Sequence, residues 1–145
     1  MDVSDQFDLA RLRTAQQGIF ETALAELSAW RKRSHWMWFI FPQLRGLGRS
    51  PIAQFYGISF IEEARAYLDE PILGHRLKLA IEATLMVEGS SASALFGAPD
   101  DVKFRSSMTL FSVASDVAGS PFQLALDRYF AGERDARTLA LLERG

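Results

Sequence analysis

Apolar positions in this chain recur at three- and four-residue intervals, and nowhere do they alternate for long. Leu9, Leu12, Gln16, Ile19, Ala23, Leu27 and Trp30 share one helical face and predict a long helix over 8–30, capped by Asp8. Gly18 weakens that helix by about 1 kcal/mol relative to alanine. From Arg31 to Gly48 the pattern lapses, and Pro42, Gly46 and Gly48 mark a structured loop with room for one short helical turn. Ser50 followed by Pro51 signals a helix start: a side-chain cap, then a residue whose missing N–H costs nothing at the first helical position. That helix ends near Gly57. Ser59 with Glu62 reads as a capping box for a helix over 60–69. Pro71 opens another that runs to about Val87 and stops at Gly89. A short helix over 90–96 closes at Gly97. Pro99, Asp100 and Asp101 start one that reaches about Val117, with acids at its positive end. Ser120 and Pro121 repeat the cap-plus-proline device for a helix ended by Gly132. Asp135 caps the last, which carries Leu139, Leu141 and Leu142. The pattern therefore predicts an all-α, irregular multihelical single domain of about eight helices over 1–145, with its core over about 7–142. Helix lengths vary too much for a simple bundle.

Composition agrees with a folded core. The 145 residues are 48% hydrophobic and 23% charged, with eleven Phe and three Trp, which excludes a disordered chain. With no cysteine, disulfides, thiol catalysis and thiolate zinc sites are excluded. The same absence fits a cytoplasmic protein. Met1 to Asp8 carry acids instead of a basic region followed by an apolar one, so they do not read as a signal peptide. The longest apolar run, Trp36 to Pro42, is far short of the roughly 20 residues that span a bilayer, so no membrane role is expected. A net charge of −2 argues against nucleic acid as a partner.

One segment departs from this average. Between Leu27 and Ile61 there is no Asp or Glu, while Arg31, Lys32, Arg33, Arg45 and Arg49 supply five positive charges. Trp30, Trp36 and Trp38 lie in the same stretch, with Phe39 and Phe41. Cations beside aromatic faces suit an anionic ligand that carries a flat ring. At the end of the segment, Gly46 and Gly48 precede the helix start at Ser50, where free N–H groups attract phosphate or carboxylate. Candidate ligand contacts are therefore Lys32, Arg33, Trp36, Trp38, Gln43, Arg45, Gly46, Gly48, Arg49 and Ser50. His35, between the basic triplet and the paired tryptophans, is the candidate proton-handling residue. Each feature has a plainer reading. The Trp36–Phe41 run fills a core, Arg31-Lys32-Arg33 is a solvated helix end, and the glycines serve turns.

A second polar stretch runs from Lys103 to Phe111. Phe104, Met108 and Phe111 fall on one helical face toward the core, and Lys103, Ser106 and Ser107 on an adjoining one. Lys103 and Ser106 join the candidate pocket, whereas Ser107 and Ser112 read as hydroxyls bonded back to helix carbonyls. His75 reads as surface. The adjacent pairs Glu62-Glu63 and Asp100-Asp101 read as first-turn charges. No metal site, cofactor motif, HExxH or GxSxG is present.

The segment from Arg31 to Ser50, above all KRSHWMWFIFPQLRGLGRS, resembles a bacterial family known as domain of unknown function 1810. So do Phe96-Gly97, Lys103, Arg105 to Phe111 and Asp135 to Leu142. The resemblance runs from Phe7 to Leu142 and implies a small all-α protein with no established activity. Some members carry the label calpastatin, but this compact chain has none of the repeated disordered segments of that inhibitor. Two residues differ from the family's usual pattern: Trp30 stands where members have glycine, and Gly57 where they have alanine.

Two functions from different classes follow. One is binding of a phosphorylated, nucleotide-like ligand, such as an ADP-ribose derivative, in a basic aromatic pocket, with hydrolysis as an added step. The other is a non-catalytic module whose aromatic segment meets a protein partner or forms a homodimer. The residues by themselves assign no reaction.

Overall fold

The computed structural model describes residues 5–87 and 89–144, which form ten helices. They are α1 (Ala10–Gln16), α2 (Phe20–Ser28), α3 (Met37–Ile40), α4 (Pro51–Tyr56), α5 (Ile61–Asp69), α6 (Pro71–Leu85), α7 (Ala92–Phe96), α8 (Asp100–Ser115), α9 (Pro121–Phe130) and α10 (Ala136–Arg144). The all-α expectation holds, with two helices beyond the eight expected.

Both additions have a local cause. The predicted helix over 8–30 is two helices, because Gln17 turns extended and Gly18 takes a left-handed φ of +78°. Gly18 therefore breaks the helix instead of weakening it. Each half keeps its share of the core: Leu12 and Gln16 on α1, and Phe20, Ala23 and Leu27 on α2. The cap also differs from expectation. Asp5, not Asp8, accepts the Leu9 and Ala10 N–H groups, at 2.6 and 3.2 Å, while Asp8 is itself left-handed at φ +54°. The other addition, α3, is the single turn for which the Arg31–Gly48 loop had room.

Most other boundaries follow the expected caps. Ser50 and Ser120 accept the N–H three residues on, and Asp135 accepts from Thr138 at 2.9 Å; Ser91 caps α7 in the same way, a cap that was not expected. Ser59 donates its N–H to Glu63, not Glu62, and α5 starts one residue later than expected. Leu44 and Ile58 form one parallel bridge that joins the loop to the segment after α4.

The core centres on α8, which packs mainly against α5 and α9. Phe104 on α8 stacks on Phe96 at 4.4 Å and meets Phe41 edge-on at 5.1 Å, with Tyr129 and Phe130 near 6 Å. Buried polar groups stitch this core to α1. Gln16 Nε2 donates to Phe39 O at 2.7 Å and to the Tyr67 hydroxyl at 3.0 Å. Burial pushes the Tyr67 phenol well above its ordinary pKa. Arg11 is more thoroughly engaged. Its five N–H groups reach Phe55 O, Phe7 O, Asp8 O, Gly57 O and the carboxylate of Glu63, all within 3.0 Å. Among the described residues, no helix is long and apolar enough to cross a membrane.

Candidate functional site

The basic segment begins on a half-buried anchor that the residue pattern did not disclose. After α2 the chain turns at Trp30, a left-handed residue with φ +68°, and folds back over Glu26. The Glu26 carboxylate accepts from Arg33 N at 2.7 Å, Ser34 N at 2.9 Å, Ser34 Oγ at 2.5 Å and Trp36 Nε1 at 2.9 Å. Desolvation by itself would raise its pKa. The four donors outweigh that and hold it down at about 2, from an ordinary 4.5. Glu26 thus fixes the course of residues 33–36.

This course divides the candidates. Trp36 spends its indole N–H on Glu26 and is fully buried, its ring 6.2 Å from Phe41, so it is core rather than pocket wall. Arg31, Arg33 and His35 face solvent. Lys32 turns inward: its side chain is 6% exposed, and its Nζ donates to Ser34 O at 2.5 Å and sits 5.0 Å from the Trp36 ring centre. Its backbone N–H bonds to Leu95 O at 2.8 Å, so the loop is tied to α7.

Lys32 leads to the one place where distant candidates meet. Asp100, the first residue of α8, accepts from Lys32 Nζ at 2.8 Å and from Lys103 Nζ at 3.3 Å. Lys103 Nζ also lies 3.8 Å from the centre of the half-buried Trp38 ring, a close cation–π contact. Two ammonium groups share a single carboxylate here, and Glu26 forms no ion pair within 4 Å with either, among the described residues. Gly48 borders the same ring, and Gln43 lies near Gly48. A Cβ on Gly48 would come within 2.7 Å of Ala53 Cβ, 3.9 Å of Gln43 Nε2 and 4.0 Å of Trp38 Cζ3. A side chain at 48 would therefore force the loop off α4, and only glycine lets it lie there.

Other candidates are committed elsewhere. Arg45 donates to Gly57 O at 3.0 Å and to Ser59 Oγ at 2.9 Å. A Cβ on Gly57 would lie 2.7 Å from Arg45 Cα, so glycine at 57 permits this close approach. Gly46 takes a φ of +107°, near Leu141. Arg49 is exposed. At the helix start itself, Ser50 Oγ already takes the Ala53 N–H at 3.2 Å, so α4 offers a ligand little of its first turn. Ser106 Oγ bonds back to Val102 O at 3.1 Å. The two serines expected to bond in this way do not. Ser112 exchanges bonds with Gln123 and Arg134, and Ser107 Oγ is buried without a partner among the described residues.

Five surface cavities of about 210 to 490 Å³ were found, and none of the five is lined by His35, Trp38 or Lys103. Among the described residues, no three His, Asp or Glu side chains form a group that could hold a metal ion.

A comparison with curated proteins returned no match. Among solved structures, the chain is similar to the crystal structure of the conserved hypothetical protein Rv1873 from Mycobacterium tuberculosis. The two are 51% identical with a TM-score of 0.93, covering 96% of this chain and 99% of the other. A family model described as protein of unknown function (DUF1810) matches residues 6–142. The Arg31–Ser50 loop, its anchor Glu26 and the whole helical core lie inside that span, and the chain belongs to the DUF1810 family.

Proposed function

We propose that this protein binds a small anionic ligand with a flat ring, of the phosphorylated nucleotide type that an ADP-ribose derivative represents, on the face formed by Trp38 and Lys103. The observation that carries the reading is the sharing of Asp100 by Lys32 and Lys103, with Lys103 3.8 Å over the Trp38 ring. A phosphate supplies the negative charge that the two lysines lack, and the accessible part of Trp38 stacks on the ring. Gln43 and the Gly48 backbone border this face and contribute hydrogen bonds. Arg33 and His35, exposed on the same loop, reach the ligand from outside, and any hydrolytic step falls to His35. One folded unit over the whole chain and a cytoplasmic setting belong to the same proposal.

The test is calorimetric titration and thermal shift with ADP-ribose, ADP and inorganic pyrophosphate. Lys103→Met and Trp38→Leu are expected to weaken binding at least tenfold with the fold retained. If none of the three compounds binds, or if they bind Lys103→Met as tightly as the wild type, the reading fails. Incubation of an ADP-ribosylated peptide with wild type and His35→Ala tests hydrolysis separately.

A second reading rests on a different surface. Ile52, Phe55 and Phe60 are exposed, and Phe7 meets Phe60 edge-on at 5.6 Å beside a cavity of about 470 Å³. Such a patch suits a homodimer contact. Sedimentation should then show a dimer that Phe55→Ser dissociates; a wild-type monomer at 100-micromolar-order concentration removes this reading.

A further inference from the structure

The two lysines do not hold Asp100 equally. Lys32 approaches Oδ2 at 2.8 Å, its side chain nearly sealed from water, and is further fixed by Ser34 O. Lys103 approaches Oδ1 at a looser 3.3 Å, with its side chain 20% exposed. Its other neighbour is the Trp38 ring face, which attracts a cation but does not neutralise it. Lys32 therefore draws the carboxylate, and Lys103 takes what is left. Asp100 is held in place besides, since it opens α8, where the helix dipole favours an acid.

We propose that Asp100 is a built-in competitor for the ligand's anionic group, and that Lys32 sets the affinity of the site by drawing Asp100 away from Lys103. This inference rests on the anion-binding reading above. On this account Lys32 is a positioning residue. It strengthens binding without touching the ligand, because its pair with Asp100 leaves Lys103 free to accept a phosphate. When Lys32 is removed, Asp100 pairs with Lys103 alone and the local charge falls to zero. When Lys32 and Asp100 are removed together, the single charge on Lys103 returns.

The experiment is a double-mutant cycle read by calorimetry with inorganic pyrophosphate. Lys32→Met is expected to weaken binding at least tenfold. Lys32→Met/Asp100→Asn, which removes a pair and strands no charge, is expected to recover to within threefold of wild type. If the double variant binds as weakly as Lys32→Met, Lys32 acts by its own charge on the ligand and the proposal is overturned while the anion-binding reading stands. If pyrophosphate does not bind the wild type, both fall. Because substitution at this half-buried cluster also changes stability, a measurement on the wild type accompanies the cycle. The carboxyl ¹³C resonance of Asp100 should move during pyrophosphate titration, as the ligand displaces it from Lys103. A resonance that stays fixed while pyrophosphate binds also overturns the proposal.

Discussion

Trp30 holds a backbone conformation that suits it badly. At φ +68° an L-residue places its Cβ against the neighbouring carbonyl, at a cost of about 1–2 kcal/mol that glycine escapes. The ring recovers little of this cost, being 57% exposed. Glycine is thus the residue that this turn favours. Trp30→Gly should be more stable than Trp30→Ala by about 1 kcal/mol, since both lack the ring and only alanine keeps the strain. Urea unfolding of the two variants checks this, and equal midpoints would refute it. Four residues earlier, Glu26 has the opposite character, because its environment favours its charge. Its pKa is lowered from 4.5 to about 2, so the stability it contributes is complete above pH 4.5 and is lost as pH falls toward 2. Glu26→Gln should cost about 1–2 kcal/mol at pH 7. Its unfolding curve should then converge on that of the wild type between pH 4.5 and 2. Parallel curves over that window would mean that Glu26 is not the anchor of the loop.

At the scale of elements, what was legible in the sequence was what is local. Ser50, Ser120 and Asp135 cap helices three residues away, and proline or glycine beside them fixes where each helix starts or stops. The break at Gly18 was not legible, because tolerance of a helical glycine and reversal at a left-handed one look alike in sequence. Adjacent acids misled for a related reason. Neighbours on a helix point about 100° apart, so one of each pair faces inward: Glu63 to Arg11, 52 positions away, and Asp100 to Lys32, 68 positions away. Arg11 shows how much such a contact can join, since it ties the approach to α1, the end of α4 and α5 through five N–H groups. Arg11→Lys retains the charge but offers three donors in one direction, and should cost about 2–4 kcal/mol by thermal unfolding. A similar constraint joins α5 to α6. A Cβ on Gly74 would lie 2.3 Å from Leu68 O, so Gly74→Ala should cost at least about 2 kcal/mol and splay the α5–α6 elbow.

For the molecule as a whole, charge and aromatic content singled out one stretch of chain, but could not say which of its side chains turn toward one another. Lys32 and Arg33 are adjacent, yet one is sealed against Asp100 and the other lies in water. Lys103 and Trp38 are 65 positions apart, yet touch. Arg45 looked equivalent to Lys103 as a candidate cation for the ligand, and the fold gives the two separate work. Arg45 spends its guanidinium on Gly57 O and Ser59 Oγ, bonds that hold the Leu44–Ile58 bridge together. Lys103 contributes one loose ion pair and a cation–π contact, which together add little to stability. Opposite outcomes follow for the two alanine variants. Arg45→Ala should cost about 1 kcal/mol by urea unfolding, because it removes two hydrogen bonds to residues 57–59 while Arg11 still satisfies Gly57 O, and should leave pyrophosphate affinity unchanged. Lys103→Ala should unfold within about 0.5 kcal/mol of the wild type and lose pyrophosphate binding. Pyrophosphate at a hundred times its Kd should stabilise the wild type and Arg45→Ala alike, by about 2.7 kcal/mol, and Lys103→Ala not at all. A ligand effect lost with Arg45 and kept without Lys103 would move the binding face to the cavity that Arg45 shares with Phe7 and Phe55.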